Sequence, residues 1–145
     1  MADKSKPSVS FSPEEQAAMQ ERARELKAAK RGGKDKAALA AAEVAARISE
    51  MPADQAEIAV RVNELAIAAG LNPRTWYGMP AYTKNDKVVL FFQAASKFKT
   101  RYSTVGFQED ANLDEGTFWA TSFAITKLTK AVEKELADLI ARALR

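Results

Sequence analysis

An α+β fold is what this sequence predicts: an antiparallel sheet of about four strands packed by helices, with an N-terminal helical extension. Two observations lead there. Apolar residues recur at helical spacing up to Gly70 and again after Thr129, and the interval between them holds strand-like runs separated by short turn signals. Helices, then strands, then a closing helix is the order of an α+β domain and not of alternating βα units.

The first helix opens at a capping box. In Ser12-Pro13-Glu14-Glu15 the serine oxygen can accept from the Glu15 amide, Glu15 can reach back, and proline suits the first turn. The helix should run towards Arg31 and end at Gly32-Gly33; with chiefly Met19 and Leu26 among alanines it has little to bury and is expected to be exposed or marginal. An alanine-rich second helix follows from Ala37 through Val44 and Ile48 to Met51, where Pro52 breaks the pattern. Asp54 is the expected cap of a third helix, in which Ile58, Val62 and Leu65 share a face and Gly70 supplies a left-handed stop.

Asn72-Pro73 then turns the chain. Thr75 to Tyr82 reads as one strand, with Pro80 near an edge or bulge because proline cannot donate to a ladder. Asn85-Asp86 suits a tight hairpin turn, and Val88 to Phe92, apolar on both parities, reads as a central strand covered on both faces. From Lys97 to Phe107 the alternation puts Phe98, Thr100 and Tyr102 on one side of a strand and Lys97, Lys99 and Arg101 on the other. An acidic loop leads to a final strand over Phe118 to Ile125, and Thr129 caps a last helix with Val132, Leu136, Leu139, Ile140 and Ala143 on one face. The third and last helices are expected to cover the sheet. Residues 1–43 read as a basic, flexible extension, and residues 44–145 as the folded domain.

At 145 residues the chain is of single-domain size and can bury roughly 70% of the surface its unfolded form exposes. It has no cysteine and no histidine, which excludes disulfides, thiolate zinc sites, imidazole ligands, Ser-His-Asp triads and Cys-His nucleophiles. Acid–base work would fall to carboxylates, lysines and tyrosines, and no carboxylate pair stands in a recognisable frame, so binding is expected instead of catalysis. Met1 to Ser12 is short and polar, and no apolar stretch approaches the roughly 20 residues that span a bilayer. A cytoplasmic protein without a membrane partner is the expectation.

The formal charge is +3, and its distribution matters more than its size. Residues 1–36 hold nine Lys or Arg against six Asp or Glu, whereas residues 37–145 hold thirteen of each. Within the neutral part, Arg74, Lys84, Lys87, Lys97, Lys99 and Arg101 precede an acidic run of Glu109, Asp110, Asp114 and Glu115. The domain should therefore be dipolar.

Three binding readings follow. Trp76, Tyr77 and Tyr82 could wall a pocket in which Gly78 permits close backbone approach, Met79 adds apolar surface and Pro80 fixes the bend. With the Lys97, Lys99 and Arg101 row beside it, such a wall would hold a small or anionic ligand. The same row, with the cations Lys27, Lys30, Arg31, Lys34 and Lys36 of the extension, also suits nucleic acid, although lysines guarding an edge strand against aggregation explain it too. Finally, Glu109, Asp110, Asp114 and Glu115 offer hard oxygen ligands for calcium, magnesium or iron, though without the glycine and twelve-residue frame of an EF-hand.

The Tyr77-Gly78-Met79-Pro80-Ala81-Tyr82 run, the strand over Val88 to Phe92 and the segment Lys97 to Tyr102 together resemble the YdhG-like domain family of bacteria, over roughly residues 44–145. The resemblance implies a small α+β domain with an antiparallel sheet and brings no established catalytic residues. Some members are described as frataxin-like iron carriers, so iron is the alternative the resemblance implies; the first expectation is no cofactor.

Overall fold

The structure, a computed structural model, describes residues 10–29 and 35–145. Three helices come first: α1 (Pro13–Ala29), α2 (Lys36–Ser49) and α3 (Ala53–Ala68). Five strands follow, β1 (Asn72–Trp76), β2 (Met79–Lys84), β3 (Lys87–Gln93), β4 (Ser103–Phe107) and β5 (Ser122–Ile125), with the one-turn helix α4 (Ala95–Phe98) between β3 and β4 and α5 (Lys130–Ala143) at the end. The strands form one antiparallel meander in the order β1-β2-β3-β4-β5. The fold is α+β, with five strands where about four were expected.

The helix ends follow local chemistry. The capping box is closed in both directions, Glu15 N–H donating to Ser12 Oγ at 3.1 Å and Ser12 N–H to Glu15 Oε1 at 3.2 Å. Gly70, at φ 91°, ends α3 with the paired bonds Gly70 N–H to Ile67 O and Leu71 N–H to Ala66 O of a Schellman motif. Thr129 Oγ1 accepts from Val132 N–H at 3.2 Å and starts α5. Asp54 does not cap α3: the helix begins at Ala53 behind Pro52, whose carbonyl accepts from Gln55 and Ala56. Asp54 lies instead in the first turn, where its charge meets the positive end of the helix dipole.

The extra strand arises because Thr75 to Tyr82 is two strands and not one. Tyr77 (φ 53°) and Gly78 (φ 76°) are both left-handed and form a two-residue hairpin turn closed by the pair Trp76↔Met79. Asn85 (φ 53°) and Asp86 (φ 64°) form a second such turn between Lys84 and Lys87, as expected. Pro80 is buried in β2, away from any sheet edge. The pair that closes a two-residue turn exchanges hydrogen bonds, so Pro80 directs its nitrogen away from β1, and the β2–β3 register begins only at Ala81↔Phe91. The missing donor therefore faces β3, one residue before the β2–β3 register begins.

β3 is central, as its apolar run requires. Tyr82, Leu90, Phe92, Val105, Phe107 and Ile125 face the helices and pack with Val44 and Ile48 of α2, Ile58, Val62 and Ala66 of α3, and Leu136, Ile140 and Ala143 of α5. Each large apolar side chain fully buried in this layer contributes about 1.5–3 kcal/mol. α2 thus joins the two helices expected over the sheet, and it runs unbroken across residues 43 and 44, where a boundary was expected. On the opposite sheet face the Phe91 ring lies over Gly106 and 5.4 Å from the Trp76 ring.

Two further strand expectations are overturned. Lys97 to Phe107 is not continuous: Ala95–Phe98 makes a helical turn, Lys99 is left-handed at φ 55°, and extended pairing begins only at Ser103. The turn is pinned by Ala95 N–H donating to Ser103 Oγ at 3.0 Å and Thr100 N–H to Ala95 O at 2.9 Å. Phe118 to Thr121 is also outside β5, and Phe118 is 94% exposed. Among the described residues no helix is long and apolar enough to cross a membrane.

Candidate functional site

The site is built where α1 crosses the β1–β2 turn. On a helical wheel Glu14, Ala18, Glu21 and Glu25 stand at i, i+4, i+7 and i+11 and share one face. Apolar residues usually occupy such an inward stripe. Here Ala18 is the one buried residue of α1, and Met19 and Leu26 are turned to solvent at 41% and 50% exposure. The helix is held by its acids instead.

Each acid meets a specific partner. Glu14 Oε1 lies 2.8 Å from Lys99 Nζ. Glu21 Oε2 is 3.3 Å from Lys97 Nζ, and its Oε1 is 3.8 Å from Arg47 Nη1. Glu25 accepts from two adjacent main-chain amides, Tyr77 N–H to Oε2 at 3.0 Å and Gly78 N–H to Oε1 at 2.9 Å. The left-handed turn makes that possible, because it leaves successive N–H groups unused by the ladder and pointing to one side, an anion-binding concavity. Arg22 completes the surroundings, 3.5 Å from Glu25 with its guanidinium 5.6 Å from the centre of the Tyr77 ring.

Gly78 is required twice at this point. Its φ of 76° belongs to glycine, and a Cβ there would collide with the Glu21 carboxylate and come within 2.6 Å of Lys97 Nζ. The Glu14–Lys99 contact shifts both groups: the hydrogen bond to Lys99 holds the Glu14 carboxyl below its usual range, and the bond to Glu14 raises the Lys99 ammonium.

Two clefts adjoin the acids. One of about 160 Å³ is lined by Glu21, Arg47, Gly78, Met79, Pro80 and Lys97. A larger one of about 410 Å³, with more apolar walls, lies between α1 and the hairpin and is bounded by Phe11, Ala18, Met19, Tyr77, Met79 and Phe98.

Of the residues singled out from the sequence, Tyr77, Gly78, Met79, Pro80 and Lys97 are brought together around these clefts. Trp76 stands beside them, its ring 5.1 Å from that of Tyr77. Tyr82 does not join the wall. It is fully buried on the helix-facing side of the sheet, where its hydroxyl donates to Asn63 Oδ1 at 2.8 Å and burial pushes its phenol far above the usual range. The cationic row is not a row, because the chain is coiled there: Lys97 and Lys99 turn to Glu21 and Glu14, while Arg101 is exposed, its guanidinium 5.3 Å from the centre of the Tyr102 ring. A phosphate backbone would therefore meet Lys97 and Lys99 already engaged by carboxylates. Lys27 and Lys36 of the extension are exposed, whereas Lys30, Arg31 and Lys34 lie outside the described residues.

The acidic loop does not converge either. Glu109, Asp110, Asp114 and Glu115 are all exposed, Asp110 lies 4.0 Å from Lys87, and Glu115 lies 3.8 Å from Arg142. Asn112, the expected carbonyl donor, uses its amide on the Arg145 carbonyl. Among the described residues no three acids gather into a group that could hold a metal ion.

Sequence reasoning missed Glu14, Glu21, Glu25 and Arg47. The seven-residue interval between Glu14 and Glu21, with Ala18 and Glu25 on the same face, is the available signal, and a search for apolar periodicity does not register it because the stripe is acidic. No family model, curated protein or solved structure matches this chain.

Proposed function

We propose that this protein is a non-enzymatic binding module that holds an anionic group on the Tyr77–Gly78 amides, with Lys97 and Arg47 as countercharge. One observation carries the reading: two consecutive amides of a left-handed turn converge on a single carboxylate whose side chain is only 11% exposed. Main-chain donors fixed by a hairpin need no reorganisation to receive a charge, and hydrogen bonds to charged groups contribute about 1.5–3 kcal/mol each. Glu25 fills the place in the resting chain, so its carboxylate stands for the group to be bound. Family membership belongs to the same proposal, since the Tyr77–Tyr82 run that carries the YdhG-like resemblance includes the turn and cleft residues; a cytoplasmic setting belongs to it as well.

The test empties the site in the full chain with Glu21→Ala/Glu25→Ala and titrates citrate calorimetrically at low ionic strength. Citrate is expected to bind the double variant, and adding Arg47→Ala/Lys97→Ala should weaken it by about tenfold or more, the equivalent of losing one charged partner. Absence of heat with the double variant, or equal affinity after the two cations are removed, would defeat the proposal.

A further inference from the structure

The resting occupant of the site has a shape as well as a charge. Glu14 and Glu25 are eleven residues apart, about 16 Å along a helix axis, and between them the partners run in sequence: Lys99, then Lys97 with Arg47, then the turn amides. A small oxyanion on the turn amides, with Lys97 and Arg47 as countercharge, leaves one of these stations, Lys99, empty. A helix covers all of them, provided its carboxylates recur at the α1 spacing.

α1 is also an imperfect occupant. It buries Ala18 alone, and the 410 Å³ cleft beside Ala18 is walled on the domain side by Tyr77, Met79 and Phe98, apolar surface that an alanine leaves unfilled. Its remaining hold is carboxylates on cations and turn amides, and Lys99 is 77% exposed, so salt and competing carboxylates act on the outer pair directly. A helix with the same acids and a larger apolar residue at the Ala18 position would make every contact α1 makes and fill the cleft in addition.

We infer that the partner of this surface is an acidic amphipathic helix of another protein, with carboxylates at i, i+7 and i+11 and a large apolar residue at i+4, which displaces α1; this rests on the anion-binding reading above. α1 is then a resident mimic of that partner. Because α1 is tethered, it competes at a high effective concentration, and a helix in trans must be the better fit to win.

The experiment uses the full chain, wild type and Glu14→Ala/Glu21→Ala/Glu25→Ala, with fluorescein-labelled synthetic peptides of residues 12–29 read by anisotropy. The peptide is expected to bind the triple variant at least tenfold more tightly than the wild-type chain. An Ala18→Leu peptide should bind tighter still, and a peptide with all three glutamates changed to glutamine should lose binding by tenfold or more. Arg47→Ala/Lys97→Ala in the triple-variant background should remove binding while the circular dichroism melt stays cooperative, which separates a lost site from a lost fold. Equal peptide affinity for wild type and triple variant, or no preference between the glutamate and glutamine peptides, would overturn the inference. Citrate binding without peptide binding overturns it while leaving the anion site standing; loss of both removes the site itself. A wild-type dimer in sedimentation that the peptide disperses would also overturn it, by assigning the surface to α1 of a second copy.

Discussion

Replacing Gly78 with alanine separates the two demands placed on that position. The first is conformational: a non-glycine residue held at φ 76° costs about 1–2 kcal/mol, roughly 4 °C of melting temperature per kcal/mol for a chain of this length. The second is spatial. The new methyl would collide with the Glu21 carboxylate and press on Lys97 Nζ at 2.6 Å, both of them far ends of flexible side chains that can swing away. The swing should break the Glu21–Lys97 contact and loosen α1 while adding little to the global cost, since ion pairs of this kind are worth about 0–1 kcal/mol. Gly116→Ala is the matched control, with φ 64° and no atom within 4 Å of its added methyl. Urea unfolding should therefore show two similar losses, within about 1 kcal/mol of each other. Limited trypsin digestion read by mass spectrometry should show faster cleavage after Arg22 in Gly78→Ala only. If α1 in Gly78→Ala is as protected as in wild type, the close approach of Glu21 to the turn is wrong; if Gly116→Ala exposes α1 equally, the effect is general instability and the reasoning fails.

Two further outcomes follow from the same geometry. Tyr82→Phe removes a buried donor to Asn63 at 2.8 Å and should cost about 1 kcal/mol in urea unfolding while leaving citrate affinity for the Glu21→Ala/Glu25→Ala background unchanged; a loss of affinity would return Tyr82 to the site. Docking of α1 should depend on pH through the Glu14–Lys99 pair. Because the Glu14 carboxyl is held low when docked, its contribution is present above the ordinary carboxylate range and lost as pH falls through the lowered value; the raised Lys99 contributes below the ordinary lysine range and is lost as pH rises through its docked value. Amide resonances of α1 followed from neutral to acid pH should lose part of their transition in Glu14→Gln, and an unchanged midpoint and amplitude would contradict this.

What was legible in the sequence is what local chemistry decides. The capping box at Ser12, the glycine stop at Gly70, the Asn85-Asp86 turn and the Thr129 cap each rest on bonds within a few residues, and each stands where the residue types place it. Tyr77-Gly78 is not legible as a turn because tyrosine is an uncommon occupant of a left-handed position, so the sequence shows one bent strand where the structure has two. Lys97 to Tyr102 alternates with period two over six residues, a length that a helical turn followed by one left-handed residue imitates equally well. Phe118 to Thr121 has strand-forming residues but little left to pair with: Phe107 N–H reaches Thr121 O, and β4 ends there, the chain turning away at Gln108, whose carbonyl accepts from Ala111 N–H. That decision is made by the neighbouring strand and is invisible along the segment itself. The site was half legible for the same reason, since the hairpin residues announce themselves while their partners Glu21 and Glu25 lie more than fifty residues away in a helix whose apolar poverty suggested detachment.

That poverty has a thermodynamic consequence for any partner. An isolated helix of this length is marginal in water, and one buried alanine adds little to it, so α1 is held mainly by charges aimed at charges and amides. A net hold of a few kcal/mol would leave the undocked state, in which the turn amides are free, populated at about 0.1–10%. At such a population a helix arriving in trans would meet the site only in that fraction, and its apparent dissociation constant on the intact chain would rise by the reciprocal, about ten- to a thousandfold. An inward stripe of leucines would have closed the site for good. A stripe of glutamates keeps it closed to weak anions and open to a ligand that repeats the stripe with a better filling for the cleft beside Ala18.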